Sequence, residues 1–311
     1  MTWTQDYYID KGTIQLYVYR KCSVEPFAGR TSMPVLFLVH GSTVSGRNTF
    51  DLQIPGAPDY SVMDHFARLG YDVWTMDHDG YGRSGWTEGS NSDIRSGVDD
   101  LECVIPFVLE TTGASHLLMF GTSSGALRAA RFAAGHQAWV ARLALAALVY
   151  TGAGSPTLEQ RRKRLPEYLA SPRRPVDLAF YQSMFERDKA GTSDALVPQA
   201  IAAAELPLVE HVPTGTYVDM CAHLPLVDPA ALACPVQIIR GEYDGIAAPE
   251  DVLDFFARLP NPDKQFISLA GVAHNPMMGL CRHKFYAALE MFLTMPAGDG
   301  SGNETMASAG R

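Results

Sequence analysis

Two kinds of apolar pattern alternate along the chain. From Thr13 to Arg20, Ile14, Leu16 and Val18 stand two apart between more polar neighbours, as in a strand with one buried face. Pro34 to Val39 is instead a continuous apolar run ending at His40-Gly41, which suits a strand covered on both faces. Tyr71 to Met76, His116 to Phe120, Val140 to Val149 and Val236 to Ile239 repeat that pattern, and Gln265 to Leu269 reads as a further strand. Between them, Tyr60 to Leu69, Asp93 to Glu110, Ser124 to Ala134 and Pro249 to Leu259 carry helical patterns. Strands alternating with helices predict an α/β protein with a mostly parallel central sheet and helices on both faces.

The alternation stops near residue 154 and resumes at Val236. The intervening stretch is mixed in charge, helical in pattern and punctuated by Pro166, Pro172, Pro175, Pro198, Pro207 and Pro213. An insertion that interrupts a βα series is expected to lie as a helical cap over the carboxyl ends of the strands, where open α/β sheets bind ligands. A second packing layer with no ligand role is the alternative. The expected division is therefore a core of residues 1–153 and 234–295, a cap of 154–233, and a disordered tail over 296–311, which is rich in Gly, Ser and Ala.

Composition narrows the partners. The 311 residues are 47% apolar and 19% charged, ordinary for a globular protein. A net charge of −9 repels phosphate backbones and anionic lipid, so neither nucleic acid nor membrane is expected as a partner. The one basic run, Arg161-Arg162-Lys163-Arg164, reads as a solvated helix face. Cys22, Cys103, Cys221, Cys234 and Cys281 lack metal-like spacing and suit reduced thiols in a cytoplasm. Met1 to Lys11 does not resemble a secretory signal, and no apolar run approaches the roughly 18 residues of a membrane span. The expectation is a soluble cytoplasmic protein of open oligomeric state.

Chemistry concentrates at Gly121-Thr122-Ser123-Ser124-Gly125, between an apolar strand and an Ala-rich helix. A strand turning sharply into a helix crowds the backbone at the flanking positions, hence the glycines, and holds the serine in a strained conformation that presents its hydroxyl. The helix N-terminus behind it favours developing negative charge. A serine nucleophile needs a base within hydrogen-bond reach. Of nine histidines, His274 follows a strand and precedes the last helix. By contrast, His65 lies in a helical pattern, His116 opens a strand, His136 and His283 read as helix-end or surface residues, and His211 and His223 fall in the insertion.

The carboxylate that orients the base is assigned to Asp244, in Gly241-Glu242-Tyr243-Asp244-Gly245, giving the chain order Ser, Asp, His. Glu242, the competitor, stands closer to the strand end and is expected to point away. An oxyanion needs fixed donors, for which the backbone N–H groups of Ser124 and Ser42 are the candidates, with Thr43 second to Ser42. No metal and no cofactor is expected.

With these residues in place, the chain resembles the α/β-hydrolase superfamily in its capped serine-esterase and lipase-like branch, over roughly Val35 to Met291. The segment Asp77-His78-Asp79-Gly80-Tyr81-Gly82-Arg83-Ser84 resembles that family's glycine-rich turn, whose role is structural. The resemblance implies a carboxylic ester hydrolase that cleaves a small ester, lactone or thioester through an acyl-enzyme. Carbon–carbon hydrolysis, acyl transfer and a non-catalytic receptor for small ligands remain as alternatives. Dehalogenases and epoxide hydrolases of the superfamily carry an elbow aspartate, against which Ser123 argues. The segment Val44 to Pro58 is longer than the family pattern and carries Arg47, Asn48 and Asp51. It either lines the pocket, with Thr43 and Arg47 as substrate-binding candidates, or is a surface loop.

Overall fold

The computed structural model describes residues 2–296. The expected tail, but for Pro296, lies outside the described residues. Along the chain the strands are β1 (Trp3–Lys11), β2 (Ile14–Cys22), β3 (Val35–Val39), β4 (Asp72–Met76), β5 (Leu117–Thr122), β6 (Val140–Ala146), β7 (Arg173–Pro175), β8 (His211–Pro213), β9 (Val236–Gly241) and β10 (Lys264–Leu269). All but β7 and β8 join one eight-stranded sheet in the order β1-β2-β4-β3-β5-β6-β9-β10. The pairings from β4 to β10 are parallel, and the β1–β2 hairpin adds antiparallel at the β4 side.

The helices are α1 (Gly46–Phe50), α2 (Val62–Arg68), α3 (Ile94–Thr112), α4 (Ser124–Gly135), α5 (Pro156–Arg162), α6 (Leu165–Ala170), α7 (Leu178–Glu186), α8 (Leu196–Glu205), α9 (Gly215–Ala222), α10 (Pro249–Arg258) and α11 (Arg282–Thr294). The central strands read as unbroken apolar runs because both of their faces are covered. Val35, Phe37 and Val39 of β3 join Leu101 of α3 and Ala130 of α4 in one apolar cluster. Leu36 and Leu38 join Phe66 of α2 and Phe285 of α11 in the other.

The sequence pattern misses one strand and carries another too far. β1 was not anticipated, because as an edge strand it alternates only weakly: Tyr7 and Ile9 pack on the core while Asp6 and Asp10 face outward. Gly12, at φ 59°, allows the tight turn that pairs Lys11 with Ile14. β6 stops at Ala146 rather than Val149. The Asp251 carboxylate on α10 accepts hydrogen bonds from the N–H groups of Tyr150, at 2.9 Å, and Gly152, at 3.1 Å, drawing that backbone out of the sheet.

Between β6 and β9 lie α5 to α9 together with β7 and β8, which pair antiparallel as Arg174↔Val212. That ribbon departs from an all-helical insertion. Three residues per strand flanked by prolines leave no readable alternation. No helix among the described residues is long and apolar enough to cross a membrane. All five cysteines are free.

Candidate active site

β5 delivers Ser123 to the carboxyl edge of the sheet and α4 begins one residue later. Ser123 sits at φ 55°, ψ −124°, a strained backbone for a residue with a Cβ. A Cβ at Gly121 would stand 2.5 Å from the carbonyl oxygen of Gly125, and one at Gly125 would stand 2.3 Å from that of Val39. Both flanking positions are closed to any side chain, as the sharp turn requires.

The structure brings the three sequence-predicted side chains together. Ser123 Oγ lies 3.0 Å from His274 Nε2, and His274 Nδ1 lies 2.8 Å from Asp244 Oδ1. An ionised carboxylate only accepts, so Nδ1–H donates to Asp244 and Nε2 is left to accept the serine proton. Asp244 and His274 are both buried. Asp244 Oδ1 also accepts the N–H groups of Ile246 and Ala247, at 2.9 and 3.1 Å. Burial alone would raise this carboxyl; His274 and those two N–H donors outweigh it and hold it below the usual carboxylate range.

Glu242 turns away, as expected. Its Oε2 accepts the Gly271 N–H at 2.7 Å, tying together the loops that follow β9 and β10. A further carboxylate, Asp188, has an oxygen within 4.8 Å of ligand-type atoms of Asp244 and His274. Arg187 engages both Asp188 oxygens, at 2.8 and 2.9 Å, so this carboxylate is already neutralised by a cation.

The loop after β3 is held from beneath. His40 is buried; its Nδ1–H donates to the Gly41 carbonyl at 2.7 Å and its Nε2 accepts the His78 N–H at 3.0 Å. Burial, then the neighbouring His78 and Arg128, push the His40 pKa well below the ordinary value, so the ring is neutral and suits both bonds. Sequence reasoning took His40 only as a loop marker. Ser42 Oγ hydrogen-bonds Ser124 Oγ at 2.9 Å and Thr216 Oγ1 at 2.6 Å, joining this loop to both α4 and α9. The first N–H groups of a helix have no intrahelical acceptor, which leaves that of Ser124 available. Among the described residues, the Ser42 N–H has no protein acceptor either.

Ser123 opens on a cavity of about 50 Å³ lined by Ser42, Thr43, Val44 and His274 and, from the insertion, by Arg161 and Tyr217. Arg161, Met184, Arg187 and Tyr217 also line an outer cleft of about 450 Å³. Thr43 is therefore at the cavity; Arg47 is not. The Arg47 guanidinium covers the Tyr19 ring at 4.2 Å and donates to the Tyr17 hydroxyl at 2.8 Å, well occupied on the β2 side of the fold.

Its neighbours in the long loop are similarly committed. Asn48 donates to Glu205 at 2.8 Å, and Asp51 accepts from Lys21 at 2.6 Å and from Tyr19 at 2.9 Å. Only Val44 and Thr49 of that segment reach the cavity.

The basic run also needs correction. Arg162, Lys163 and Arg164 are exposed, but Arg161 is half-buried and turns inward, with its guanidinium 4.1 Å above the Tyr217 ring. Its spacing carried a signal: three after Leu158 and four after Thr157, both buried, it shares their helix face.

Burial would raise the Tyr217 phenol, but Arg161 and Arg174, a hydrogen bond with Thr43, and Arg187 bring it down to about 7. Sequence reasoning missed Tyr217, Arg174 and Arg187, whose convergence depends on how α9, β7 and the end of α7 pack.

The sheet order, the strained turn between β5 and α4, and the loops at the sheet's carboxyl edge define an α/β-hydrolase. The model of the S33 serine aminopeptidase family matches residues 59–279, and the chain belongs to that family. Among solved structures, an esterase from Thermogutta terrifontis superimposes with a TM-score of 0.68 at 21% identity, covering 93% of this chain and 98% of the other. A 2-hydroxy-6-oxo-6-phenylhexa-2,4-dienoate hydrolase from a Rhodococcus strain gives 0.69 at 17% identity, over 94% and 100% of the two chains. The thioesterase domain of the curacin biosynthetic pathway gives 0.63 at 18%, over 94% and 100%. At these identities the likeness is one of fold. No curated protein matches the chain.

Proposed function

We propose that this hydrolase-family protein is a serine hydrolase that cleaves a small carboxylic ester through an acyl-enzyme. One observation carries the reading: the hydrogen-bonded series from Ser123 Oγ through His274 to buried Asp244, with links of 3.0 and 2.8 Å. In this mechanism the Ser123 oxygen bonds to the substrate carbonyl carbon while His274 Nε2 takes the serine proton. Asp244 holds the imidazole in the required tautomer and stabilises the imidazolium. The N–H groups of Ser124 and Ser42 receive the oxyanion. Collapse breaks the bond to the alcohol, which leaves with the proton from His274, and a water repeats the sequence to release the acid. Residues 154–233 act as the cap, since Arg161, Met184 and Tyr217 from this stretch line the cavity beside Ser123.

Thioester and carbon–carbon substrates would use the same groups, so the test is a panel of p-nitrophenyl esters, lactones, thioesters and vinylogous diketones. A fluorophosphonate is expected to add one group, at Ser123, and Ser123→Ala to retain only the residual catalysis of binding and oxyanion donors. A fully active alanine variant, or labelling elsewhere, refutes the assignment.

A further inference from the structure

Three guanidinium groups surround Tyr217 beside the nucleophile, and they are not equally occupied. Arg187 is paired with Asp188 through two hydrogen bonds. Arg174, only 8% exposed, donates one bond to Thr43 Oγ1, and its Nε and Nη1 have no partner among the described residues. Arg161 Cζ lies over the Tyr217 ring, 4.1 Å from its centroid; among the described residues its guanidinium meets no protein acceptor and no carboxylate. A half-buried cation facing a cavity without a counter-charge is unfavourable until a ligand supplies one. Below pH 7, where Tyr217 is a neutral phenol, Arg161 thus stands uncompensated at the cavity, with Arg174 against the same ring, in a chain of net charge −9, so this charge is local.

We propose that Arg161 receives a carboxylate of the substrate, which makes the preferred substrate an ester carrying an anionic group. The proposal deepens the serine-hydrolase reading and rests on it. Arg161 lines both the small cavity at Ser123 and the larger outer cleft, so it stands at their junction. With its Cζ over the Tyr217 ring and its N–H groups meeting no acceptor among the described residues, the guanidinium has donors to offer a carboxylate, which this group can take bidentately. Met184, Met277, Met278 and Val44 in the cavity wall offer an apolar path for the carbons between that carboxylate and the carbonyl at Ser123.

The experiment compares charged and capped partners below pH 7. The mono-p-nitrophenyl esters of adipate and suberate, with the carboxylate on the acyl side, are set against their methyl-capped diesters. For a carboxylate on the leaving side, 4-acetoxybenzoate is set against its methyl ester. In at least one pair the wild type is expected to favour the charged partner by about ten-fold or more in kcat/KM, chiefly through KM, the scale of a charge-assisted hydrogen bond. Arg161→Gln should remove most of that preference and Arg161→Lys should restore part of it.

A second arm needs no turnover: calorimetric binding of monomethyl adipate against dimethyl adipate to Ser123→Ala protein, with and without Arg161→Gln. Charge-selective binding that depends on Arg161 sustains the subsite even if no ester is hydrolysed and fluorophosphonate labelling fails, in which case only the hydrolase reading falls. No discrimination between the monoacid and the diester, or a preference that survives Arg161→Gln in a folded protein, overturns the subsite even where Ser123 is labelled.

Discussion

Asp244 and Glu242 stand two positions apart beyond β9, yet their surroundings assign them opposite tasks. Asp244 is buried and fixed by His274 and two backbone donors, whereas Glu242 bridges to the Gly271 N–H at the surface. Asp244→Asn is therefore expected to fold and to lose about 10⁴ in kcat, because an amide can hold the wrong imidazole tautomer. Glu242→Gln should cost far less. Steady-state kinetics on both variants, with circular dichroism for folding, decides the matter; the reverse pattern would move the acid to Glu242.

Tyr217 supplies a second test at this scale. Arg161 on α5, Arg174 on β7, Arg187 beyond α7, Tyr168 on α6 and the Thr43 hydroxyl face its ring, with Asp219 and Cys221 on its own helix and Arg162 near that helix's end. A phenol brought down to about 7 is neutral below that pH and a phenolate above it. Ultraviolet titration should show one tyrosinate forming near neutrality, absent from Tyr217→Phe. The phenolate would compete with a substrate carboxylate for Arg161, so KM for an anionic ester should rise with pH through about 7 while that of its capped partner does not follow.

At the level of elements, the site depends on the close approach of β3, β5 and α4. The Gly125 position faces the carbonyl oxygens of Val39 and His40, at 2.3 and 2.4 Å from where a Cβ would lie, and backbone atoms there have little room to retreat. Gly125→Ala is expected to destabilise the fold by about 3 kcal/mol or more, as read by urea unfolding. An alanine variant of wild-type stability would mean that the turn is looser than its geometry indicates. The central strands and the elbow were legible in the chain because each is a local pattern: an apolar run, two glycines about a serine, a helix start. β1 and the β7–β8 ribbon were not. One is an edge strand with a single weakly buried face, and the other is too short to show a period.

For the molecule as a whole, the sequence by itself determined the α/β class, the strand-to-helix alternation and its interruption before β9, and it named Ser123, Asp244 and His274 as the candidates that the fold brings within hydrogen-bond reach. Each of these is carried by residue type at short range or by order along the chain, and a sharp strand-to-helix turn leaves few sequences that can make it. Only the tertiary structure decided which side chains of distant segments share the cavity. Arg47 belonged by sequence proximity to the loop after β3, but packing turned it onto Tyr17 and Tyr19. Arg161 belonged by its neighbours to a solvated run, but the fold of the insertion turned it onto Tyr217. The physical reason is the same in both cases. A charged side chain goes where another element supplies an aromatic face or an acceptor, and such partners, here 28 to 30 and 56 residues away, have no periodic or short-range signature in the chain.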